Sequence, residues 1–410
     1  MERFLDLIDH PQRHYPAVHV AGTSGKGSTA TMIAALLRAS GLRTGLHVTP
    51  YLQVATEKLA IDGHYVSADE FAALIDWLRP LAERFRGPDV PMHGIGSVAI
   101  TLECFRRQRV DIAVVEAGVG GRKDITNVVN TKVAVIGPIG YDHIKTLGPS
   151  LEEIAWHKAG VIRPGCAAAV VLDGAGRAAA EEQAKQVGVP LTVLRADRYT
   201  YRLDHTGHAR LDYFGDRLTI RDVRLAMPGA FQAQNAALAL AALELLNEQL
   251  PAHDDLAAAL AAARLPGRGE WLQLADGPKL LFDGAHNPDK LSALGQMLAT
   301  DKRRIHLVYG TLRSHPPGAA TLALASRAAS LTVTEPDVYA KAPCPATELA
   351  LQFPGAIAVE RPEDAIARAL GQAANDDIVL VTGSLYLVGQ VRNAYYPAEQ
   401  VLSQGTSWPS

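Results

Sequence analysis

The chain has 410 residues, of which 48% are hydrophobic and 20% are charged, and its formal net charge is −3. This composition is typical of a folded globular protein and excludes an intrinsically disordered one. The near-neutral charge provides no general basic field for nucleic acid or an anionic membrane, so any phosphate site must be local.

The length and the cysteine pattern predict a multidomain protein of a reducing compartment. At about 150 residues per domain the chain has room for two or three domains. Cys104, Cys166 and Cys344 form no C-x-x-C pair, which argues against a disulfide framework or a structural zinc site. The first residues lack the apolar core of a secretion signal, and no uncharged apolar run reaches the roughly 18 residues of a membrane span. We therefore expect a cytoplasmic, monomeric protein without nucleic-acid or membrane partners.

Short β-branched runs alternate with helical stretches, a pattern that predicts an α/β fold with parallel strands joined by crossover helices. The sequence predicts a first domain over residues 1–265, built on a P-loop-type parallel sheet. Aromatic and charged alternation from Thr192 to Val223 predicts a small antiparallel patch, and two helices are predicted over Gln232–Gln249 and Asp254–Ala263. The clearest strands of this domain are Ala17–Ala21, Thr44–Val48, Asp111–Glu116, Lys132–Gly137 and Ala168–Leu172.

Pro and Gly punctuation over residues 266–270 predicts a linker. Beyond it the alternation of strands and helices resumes, which predicts a smaller Rossmann-like domain over residues 271–410. Its predicted strands are Lys279–Phe282, Arg304–Tyr309, Ser330–Thr334, Ala356–Val359 and Asp377–Val381.

A glycine-rich loop between a strand and a helix predicts a phosphate site. Strand Ala17–Ala21 runs into Gly22-Thr-Ser-Gly-Lys-Gly-Ser-Thr29, and a helical run follows from Ala30 to Ser40. Glycines let backbone N–H groups turn toward a phosphate at the helix N-terminus, and Lys26 adds a positive charge. The spacing departs from Walker A, since Gly27 separates the lysine from the serine. The loop alone leaves amino-acid ligases, kinases and motor-type NTPases open, with a plain Gly/Ser turn as the structural alternative.

The loop resembles the Gly-Thr-Asn-Gly-Lys-Gly-Ser loop of the folylpolyglutamate synthase and dihydrofolate synthase family, within the wider Mur ligase group, with Ser24 in place of Asn. Eight ordered matches are far more specific than one, and the chain is identified as a member of that family. The resemblance implies a Mur-ligase-like ATP-binding first domain and an amino-acid-binding second domain. The further motifs are Glu116-Ala-Gly-Val-Gly-Gly-Arg-Lys-Asp-Ile-Thr-Asn127, Tyr141-Asp-His143 with Leu147-Gly148, His157-Lys-Ala-Gly-Val161, Gln232–Asn235, Pro266-Gly-Arg268, Asp283-Gly-Ala-His-Asn-Pro288 and Thr382-Gly-Ser-Leu-Tyr-Leu387.

The resemblance implies metal and ATP roles for residues that would otherwise suggest only structural ones. Thr49, Glu116 and His143 are implied Mg²⁺ ligands. Lys158 is implied to be carboxylated on its amine and to help hold a second Mg²⁺. Taken alone, Glu116 would be a solvated strand-end acid, His143 a structural histidine and Lys158 an exposed helix lysine. Lys26, Glu116, His143 and Lys158 are the implied catalytic residues, and the implied ATP-binding residues are Ser24, Gly25, Lys26, Gly27, Ser28, Asn235, Arg268 and Asp283.

Asn235, taken alone, would be the N-cap of an alanine-rich helix, and Arg268 beside the linker could clamp a phosphate when the domains close. The implied chemistry is attack of a substrate carboxylate on the γ-phosphorus of ATP. The resulting acyl phosphate is captured by the amino group of an amino acid, and water is excluded by domain closure. The implied substrate-binding and amino-acid-binding residues are Thr49, Tyr51, His93, Asp124, His286 and Ser384.

The pterin-side motifs depart from the family pattern, which leaves the acid substrate open. Ser-Pro-His-Leu becomes Thr49-Pro-Tyr-Leu52, Asn-Glu-Arg becomes Thr56-Glu-Lys58, and an Asp-Lys-Asp loop becomes Thr311-Leu-Arg-Ser314. The leading hypothesis is addition of L-glutamate to dihydropteroate, a folate or both. A second is a ligase of the same family that amidates a non-folate carboxylate. A third, a nucleotide-binding regulator without ligase activity, is disfavoured because the implied metal residues are all present.

Overall fold

The computed structural model describes residues 1–85, 92–246, 250–338 and 341–410, and within them the first part of the chain forms a mostly parallel, eight-stranded sheet. The strand order is β4-β3-β2-β5-β1-β6-β7-β8, with only β3 and β4 antiparallel at one edge. Central strands are buried on both faces, as their apolar β-branched sequences predict. The strands are β1 Ala17–Ala21, β2 Thr44–His47, β3 Leu59–Ile61, β4 His64–Tyr65, β5 Ile112–Glu116, β6 Thr131–Ile136, β7 Ala168–Leu172 and β8 Leu191–Leu194.

Helices cover both faces of this sheet. Helices α2, α8 and α9 pack on one face, whereas α1, α3 and α4 form a second core on the other. The end of the predicted helix Gln232–Gln249, residues 247–249, lies outside the described part of the chain. The helices are α1 Glu2–Leu5, α2 Lys26–Ala39, α3 Ala68–Phe85, α4 Met92–Arg107, α5 Ile144–Leu147, α6 Leu151–Ala159, α7 Arg177–Val187, α8 Phe231–Leu246 and α9 His253–Ala262.

A three-stranded antiparallel sheet follows, made of β9 Tyr199–Leu203, β10 His208–Phe214 and β11 Thr219–Pro228. The prediction of an antiparallel patch from Thr192 was wrong at its start, because this residue belongs to β8, which pairs parallel to β7. Helix α7 carries the chain back across the sheet, and such a crossover adds a parallel strand.

The second lobe has a six-stranded sheet of order β12-β13-β17-β14-β15-β16, parallel except for β12. The α/β fold class is confirmed, whereas the domain boundaries stay a prediction. The strands are β12 Glu270–Gln273, β13 Lys279–Phe282, β14 Ile305–Tyr309, β15 Ser330–Val333, β16 Ile357–Ala358 and β17 Ile378–Thr382. The helices are α10 Pro288–Met297, α11 Ala319–Ala325, α12 Ala346–Ala350, α13 Pro362–Gln372, α14 Leu385–Arg392 and α15 Ala398–Gln404.

The C-terminal tail, residues 398–410, returns to the first lobe. The Tyr65 backbone N–H donates to the Gly405 carbonyl at 2.8 Å, and the Ser407 hydroxyl donates to Glu57 Oε1 at 3.2 Å. The two lobes are therefore joined by the tail as well as by the linker. Among the described helices, none is both long enough and apolar enough to cross a membrane.

Candidate active site at the seam between the lobes

Neighbouring side chains lie close to two glycines of the phosphate loop, and at the first of them only glycine fits. Gly25 has a φ of 76°, and a Cβ there would overlap the side-chain amide of Asn235. A Cβ on Gly27 would lie 3.0 Å from Leu265 Cδ2 and 3.2 Å from Glu116 Oε2. Helix α2 begins at Lys26, four residues earlier than predicted, so the loop N–H groups lie at a helix N-terminus.

Neighbouring segments hold the loop in place. Thr23 donates its backbone N–H to the Pro138 carbonyl at 2.7 Å and its hydroxyl to the Gly140 carbonyl at 2.9 Å. Lys158 Nζ donates to the Gly22 carbonyl at 2.7 Å. The loop conformation is therefore fixed from the segment after β6 and from helix α6.

Glu116 ends β5 beside the phosphate loop and is only 6% exposed. Its Oε2 accepts the Thr49 backbone N–H at 3.0 Å, so the structure brings Thr49 to Glu116 through the main chain. Burial raises the pKa of the Glu116 carboxyl, against the opposing effect of Lys26 and of the Thr49 N–H. A carboxylate beside the phosphate loop is a candidate ligand for the cation that accompanies a bound phosphate.

Lys158 is buried, with 2% of its surface exposed, so the alternative of a solvated helix lysine is wrong. Helix α6 begins with a capping box, in which Glu153 N donates to Ser150 Oγ at 3.2 Å and Ser150 N donates to Glu153 Oε2 at 3.1 Å. Burial, followed by repulsion from Lys26, lowers the pKa of Lys158 to about 7. A large fraction of this amine is therefore neutral near pH 7.

His143 precedes α5 with a φ of 50°, and its side chain is 42% exposed. Burial and then the charges of Lys26 and Lys158 lower its pKa, although Asp142 opposes them. Lys26 is an electrostatic neighbour of Glu116, His143 and Lys158 alike. Within the described ranges, no group of three His, Cys, Asp or Glu side chains is close enough to hold a metal by itself.

Arg268 of the linker and Asp283 of the second lobe lie close enough for their charges to interact. Asp283 accepts the N–H of Gly269 at 2.8 Å through Oδ2 and that of Ala285 at 2.9 Å through Oδ1. Burial raises the pKa of Asp283 and lowers that of Arg268, and each charge partly offsets the effect on the other. Asp283 thus connects the linker to the loop after β13.

His286 has a defined tautomer because the Gly284 carbonyl, 2.8 Å away, can only accept from Nδ1. Its Nε2 therefore accepts a hydrogen bond from Lys290 Nζ at 3.2 Å. Burial, with Lys290 beside it, lowers the pKa of His286 well below its usual range. The ring of His315 lies 5.1 Å from that of His286. The structure thus gives the second lobe a neutral imidazole at the seam.

Other predicted substrate residues make mainly structural contacts. Ser384 caps α14 by accepting the Tyr386 N–H at 3.2 Å, and Asp124 accepts the N–H groups of Val119 at 2.7 Å and Thr126 at 2.9 Å. His93 is exposed on the first turn of α4. Their roles in substrate binding stay predictions.

The predicted residue Tyr51 is 39% exposed and stacks with a cation. Lys58 Nζ lies 5.2 Å from the Tyr51 ring centroid and donates to Ser97 Oγ at 3.2 Å. Tyr51 and Thr49 line a narrow cavity that also reaches Glu116 and Arg268.

A cavity of about 260 Å³ lies between the lobes and collects all of the predicted ATP-binding residues. His143, Lys158, His286 and Ser384 lie outside its lining. The residues that line it are Thr23, Ser24, Gly25, Lys26, Gly27, Ser28, Glu116, Pro138, Phe231, Gln232, Gln234, Asn235, Arg268, Asp283, Gly284, Ala285, Asp289, Lys290, Ala293, Leu294 and Met297.

Lys290 was not predicted as a site residue, and the alternative in which Asn235 is a helix N-cap was wrong. Helix α8 begins at Phe231, so Asn235 is not an N-cap; its Nδ2 donates to Gln232 Oε1 at 2.9 Å. Lys290 lies in the first turn of α10, where the helix dipole disfavours a cation. That unfavourable placement is the signal that could have identified it.

Comparisons with known proteins found matches over both lobes of the chain. Residues 94–243 match the Mur ligase middle domain, and residues 267–385 match the Mur ligase glutamate ligase domain. The chain is 32% identical to the folylpolyglutamate synthase of Lacticaseibacillus casei, over 95% of this chain and 92% of that protein. It is 29% identical to the dihydrofolate synthase/folylpolyglutamate synthase of Bacillus subtilis, over 96% and 93% of the two chains.

Solved structures give the same result for the fold. A Mycobacterium tuberculosis folylpolyglutamate synthase complexed with ADP superposes with a TM-score of 0.87 at 31% identity, covering 96% of this chain and 93% of the other. The Escherichia coli FolC in complex with DHPP and ADP gives a TM-score of 0.83 at 26% identity, over 96% and 92% of the chains.

Proposed function

Because this chain belongs to the folylpolyglutamate synthase and dihydrofolate synthase family of ATP-dependent amide ligases, we propose that it joins L-glutamate to dihydropteroate, to a folate, or to both. The observation that carries the proposal is the cavity between the lobes. One wall is the glycine loop with Lys26 and Glu116, and the other is Arg268 and Asp283. Relatives of this chain bind ADP and DHPP, which supports a nucleotide and a pteroate-type acid here.

The residues of the cavity fit the two steps of an acyl phosphate mechanism. N–H groups at the α2 N-terminus and Lys26 bind and polarise the phosphates, so that the substrate carboxylate attacks the γ-phosphorus and ADP leaves. The amine of the amino acid then attacks the acyl carbon, and phosphate leaves. Arg268 reaches the cavity from the linker, which supports a requirement for closed lobes and exclusion of water.

Glu116, His143 and the Thr49 hydroxyl are proposed to hold Mg²⁺. The fit rests on the buried Glu116 carboxylate beside the phosphate loop and on the lowered pKa of His143, which keeps the imidazole neutral enough to ligate. Held there, Mg²⁺ would need few protein ligands and would offset the charge of the transferred phosphoryl group. The absence of a three-residue cluster among the described residues is compatible with so few protein ligands.

Carboxylation of Lys158 is proposed because its amine has a lowered pKa and is therefore partly neutral near pH 7. Only a neutral amine adds CO₂, and burial lowers the pKa of Lys158 to about 7. The product is a carbamate anion in a region where Lys26 and Lys290 supply positive charge. Intact mass in bicarbonate should show an increase of one CO₂ that disappears on acidification and in Lys158→Arg. The absence of that increase in the native protein would contradict the carboxylation but not the ligase activity.

His286 and Ser384 are proposed to position the incoming glutamate. His286 lies in the loop between β13 and α10 and presents a neutral ring whose Nε2 accepts a hydrogen bond from Lys290. Ser384 follows β17, next to the strand that leads to His286. Both lie after carboxyl ends of parallel strands, where ligands bind in open α/β sheets.

A non-folate acid is the second candidate, favoured by the changed residues of the pterin-side loop. Tyr51 stands where the family has histidine and Thr56 where it has asparagine. Lys58 keeps the positive charge of the family's arginine and stacks on the new Tyr51 ring. The shape and the hydrogen-bonding groups of this side of the site therefore differ from those of the family, which favours an acid of another shape.

Phosphate release tests the proposal. We expect ATP-dependent phosphate formation with dihydropteroate or tetrahydrofolate only when L-glutamate is present, and mass spectrometry should find the product extended by one glutamate. Turnover with other carboxylic acids but with neither folate would instead establish the second candidate. Phosphate release with no acid at all would contradict both.

Cytoplasmic location and a monomeric state complete the proposal; the three cysteines are buried and free, which suits a reducing compartment.

A further inference from the structure

One face of helix α10 lines the nucleotide cavity. The residues on that face are Lys290, Ala293, Leu294 and Met297, which follow the i, i+3, i+4, i+7 spacing of a single helical stripe. The stripe is charged at its N-terminal end and apolar beyond it. It rises about 10 Å along the helix, enough to lie along a nucleotide from its phosphates to its base.

Contacts with the first lobe fix the direction of the stripe. In the first turn region, Asn287 Nδ2 donates to Asp142 Oδ2 at 3.2 Å, and the Asp289 carboxylate packs so close to Gly140 that a Cβ there would overlap it. Gly140 is also hydrogen-bonded to Thr23 of the phosphate loop. The Lys290 end therefore lies at the phosphates, and the Met297 end lies toward the three-stranded sheet.

Lys290 is a cation held close to other cations. Its hydrogen bond is to the neutral His286 Nε2, and among the described residues no carboxylate oxygen lies within 4.0 Å of its Nζ. Burial, and then repulsion from Lys26 and Arg268, lowers its pKa to about 8. The helix dipole adds to the repulsion at this first-turn position. An anion placed between Lys26, Arg268 and Lys290 would relieve all of these effects.

We propose that Lys290 binds the terminal phosphoryl group of the nucleotide and so lets the second lobe distinguish a triphosphate from a diphosphate. The inference rests on the proposed ATP site. The loop N–H groups and Lys26 hold the inner phosphates from the first lobe, whereas Lys290 approaches from the opposite lobe, with Glu116 and Asp142 as its acidic neighbours. After the first step the phosphoryl group stays in the site as part of the acyl phosphate. Its departure as inorganic phosphate after the second step removes the anion that Lys290 binds, which favours opening and release of ADP.

Calorimetric binding of ADP and of AMPPCP, each with Mg²⁺, tests the role without any acid substrate. We expect the full chain to prefer AMPPCP by about tenfold or more, and Lys290→Met to lose about tenfold of that preference while its affinity for ADP changes little. Lys290→Arg should keep most of the preference, since its charge remains. Lys302→Met, an exposed lysine of the same lobe, is the matched control and should behave as the native chain.

The outcomes separate this inference from the proposed function. A native chain that binds neither nucleotide contradicts the ATP site itself. A native chain without a preference, a preference unchanged in Lys290→Met, or an equal loss for both nucleotides would overturn the role of Lys290 while leaving the ligase assignment in place. If Lys290→Met does not fold, Lys290→Gln is used for the same comparison, with its melting temperature as the check on folding.

Discussion

Single residues at the seam carry charges at an energetic cost, and Lys158 shows this most directly. Its pKa of about 7 lies below the ordinary lysine value of 10.5, so between these pH values the unfolded chain binds more protons than the folded one. The contribution of this group to the free energy of unfolding therefore increases as the pH rises through that range. Below the range, where Lys158 is charged in the folded chain, the contribution has its lowest value.

Lys158→Met removes this pH-dependent contribution. We expect the variant to be more stable than the native chain near about pH 6, with an advantage that shrinks toward about pH 10. Urea unfolding in bicarbonate-free buffer measures it, and Lys185→Met, an exposed lysine of α7, is the control. A difference that does not change with pH would contradict a depressed pKa at Lys158.

Glu116→Gln is expected to lower turnover about a hundredfold or more and to raise the Mg²⁺ concentration needed for half-maximal rate, because a neutral amide is a poor Mg²⁺ ligand. Stability should be equal or higher, since the variant removes a buried carboxylate whose pKa burial raises. Phosphate release against Mg²⁺ concentration, with melting temperatures, measures both effects. Glu152→Gln on the exposed side of α6 serves as the control. An unchanged Mg²⁺ dependence would count against a metal role for Glu116.

The role of a single residue could be predicted from the sequence where the local main-chain conformation requires that residue type. It could not be predicted where the role depends on which distant segments pack against the residue. Gly25 and Gly27 were identified because a phosphate loop needs them, and the structure shows the side chains that exclude a Cβ at Gly25 and crowd one at Gly27. The burial of Lys158 could not be inferred from its helix, because a lysine is exposed by default. Lys290 matched no motif; its place in the lining of the cavity identifies it, together with its position in the first turn of α10.

At the scale of elements, the apolar β-branched runs located the parallel strands of both sheets except β8, whereas β3, β4 and β12 were not predicted. The predicted β1, β7 and β13 match the observed bounds, and the others differ by a residue or two at their ends. The edge strand β8 was misassigned because its sequence resembles that of the antiparallel strands after it. The strand with which β8 pairs is determined by the crossover helix before it, and the local pattern of residues in β8 contains no information about that pairing.

Two helical glycines offer a matched test of element packing. Gly27→Ala, in α2, should weaken nucleotide binding, because the new Cβ would lie 3.2 Å from Glu116 Oε2 and 3.0 Å from Leu265. Gly295→Ala, in α10, meets no atom within 4 Å and should raise stability by about 0.5–1 kcal/mol without changing nucleotide affinity. Calorimetric titration with ADP and urea unfolding measure the two effects. Equal nucleotide affinity in both variants would contradict the crowding at Gly27.

At the scale of the whole molecule, a buried arginine joins linker, tail and first lobe. Arg392 is fully buried, and its Nε lies 2.9 and 3.0 Å from the two Glu270 oxygens. Its other nitrogens donate to Gln53 of the first lobe and to the Ser407 carbonyl of the tail. Glu270 in turn accepts the Gly267 N–H of the linker at 2.9 Å.

Arg392→Met should destabilise the chain by about 3–5 kcal/mol, because it leaves the Glu270 charge buried without its partner. The double variant Arg392→Met with Glu270→Met should recover part of that loss. Arg313→Met, which breaks a half-exposed pair with Glu348, should cost at most about 1 kcal/mol. Urea unfolding of the three variants decides the matter: equal losses in Arg392→Met and Arg313→Met would contradict a structural role for the buried pair.

The C-terminal tail has a consequence for how the lobes can move. Two rigid bodies tied at one point may swing in any direction, but bodies tied at two points keep a single axis of rotation, which passes through both ties. Here the ties are the linker and the contact of Gly405 and Ser407 with the first lobe, beside which Arg392 also reaches Gln53. The tail therefore favours a single swing between the lobes, and a chain cut after residue 397 should weaken that directional restraint while the catalytic side chains remain intact.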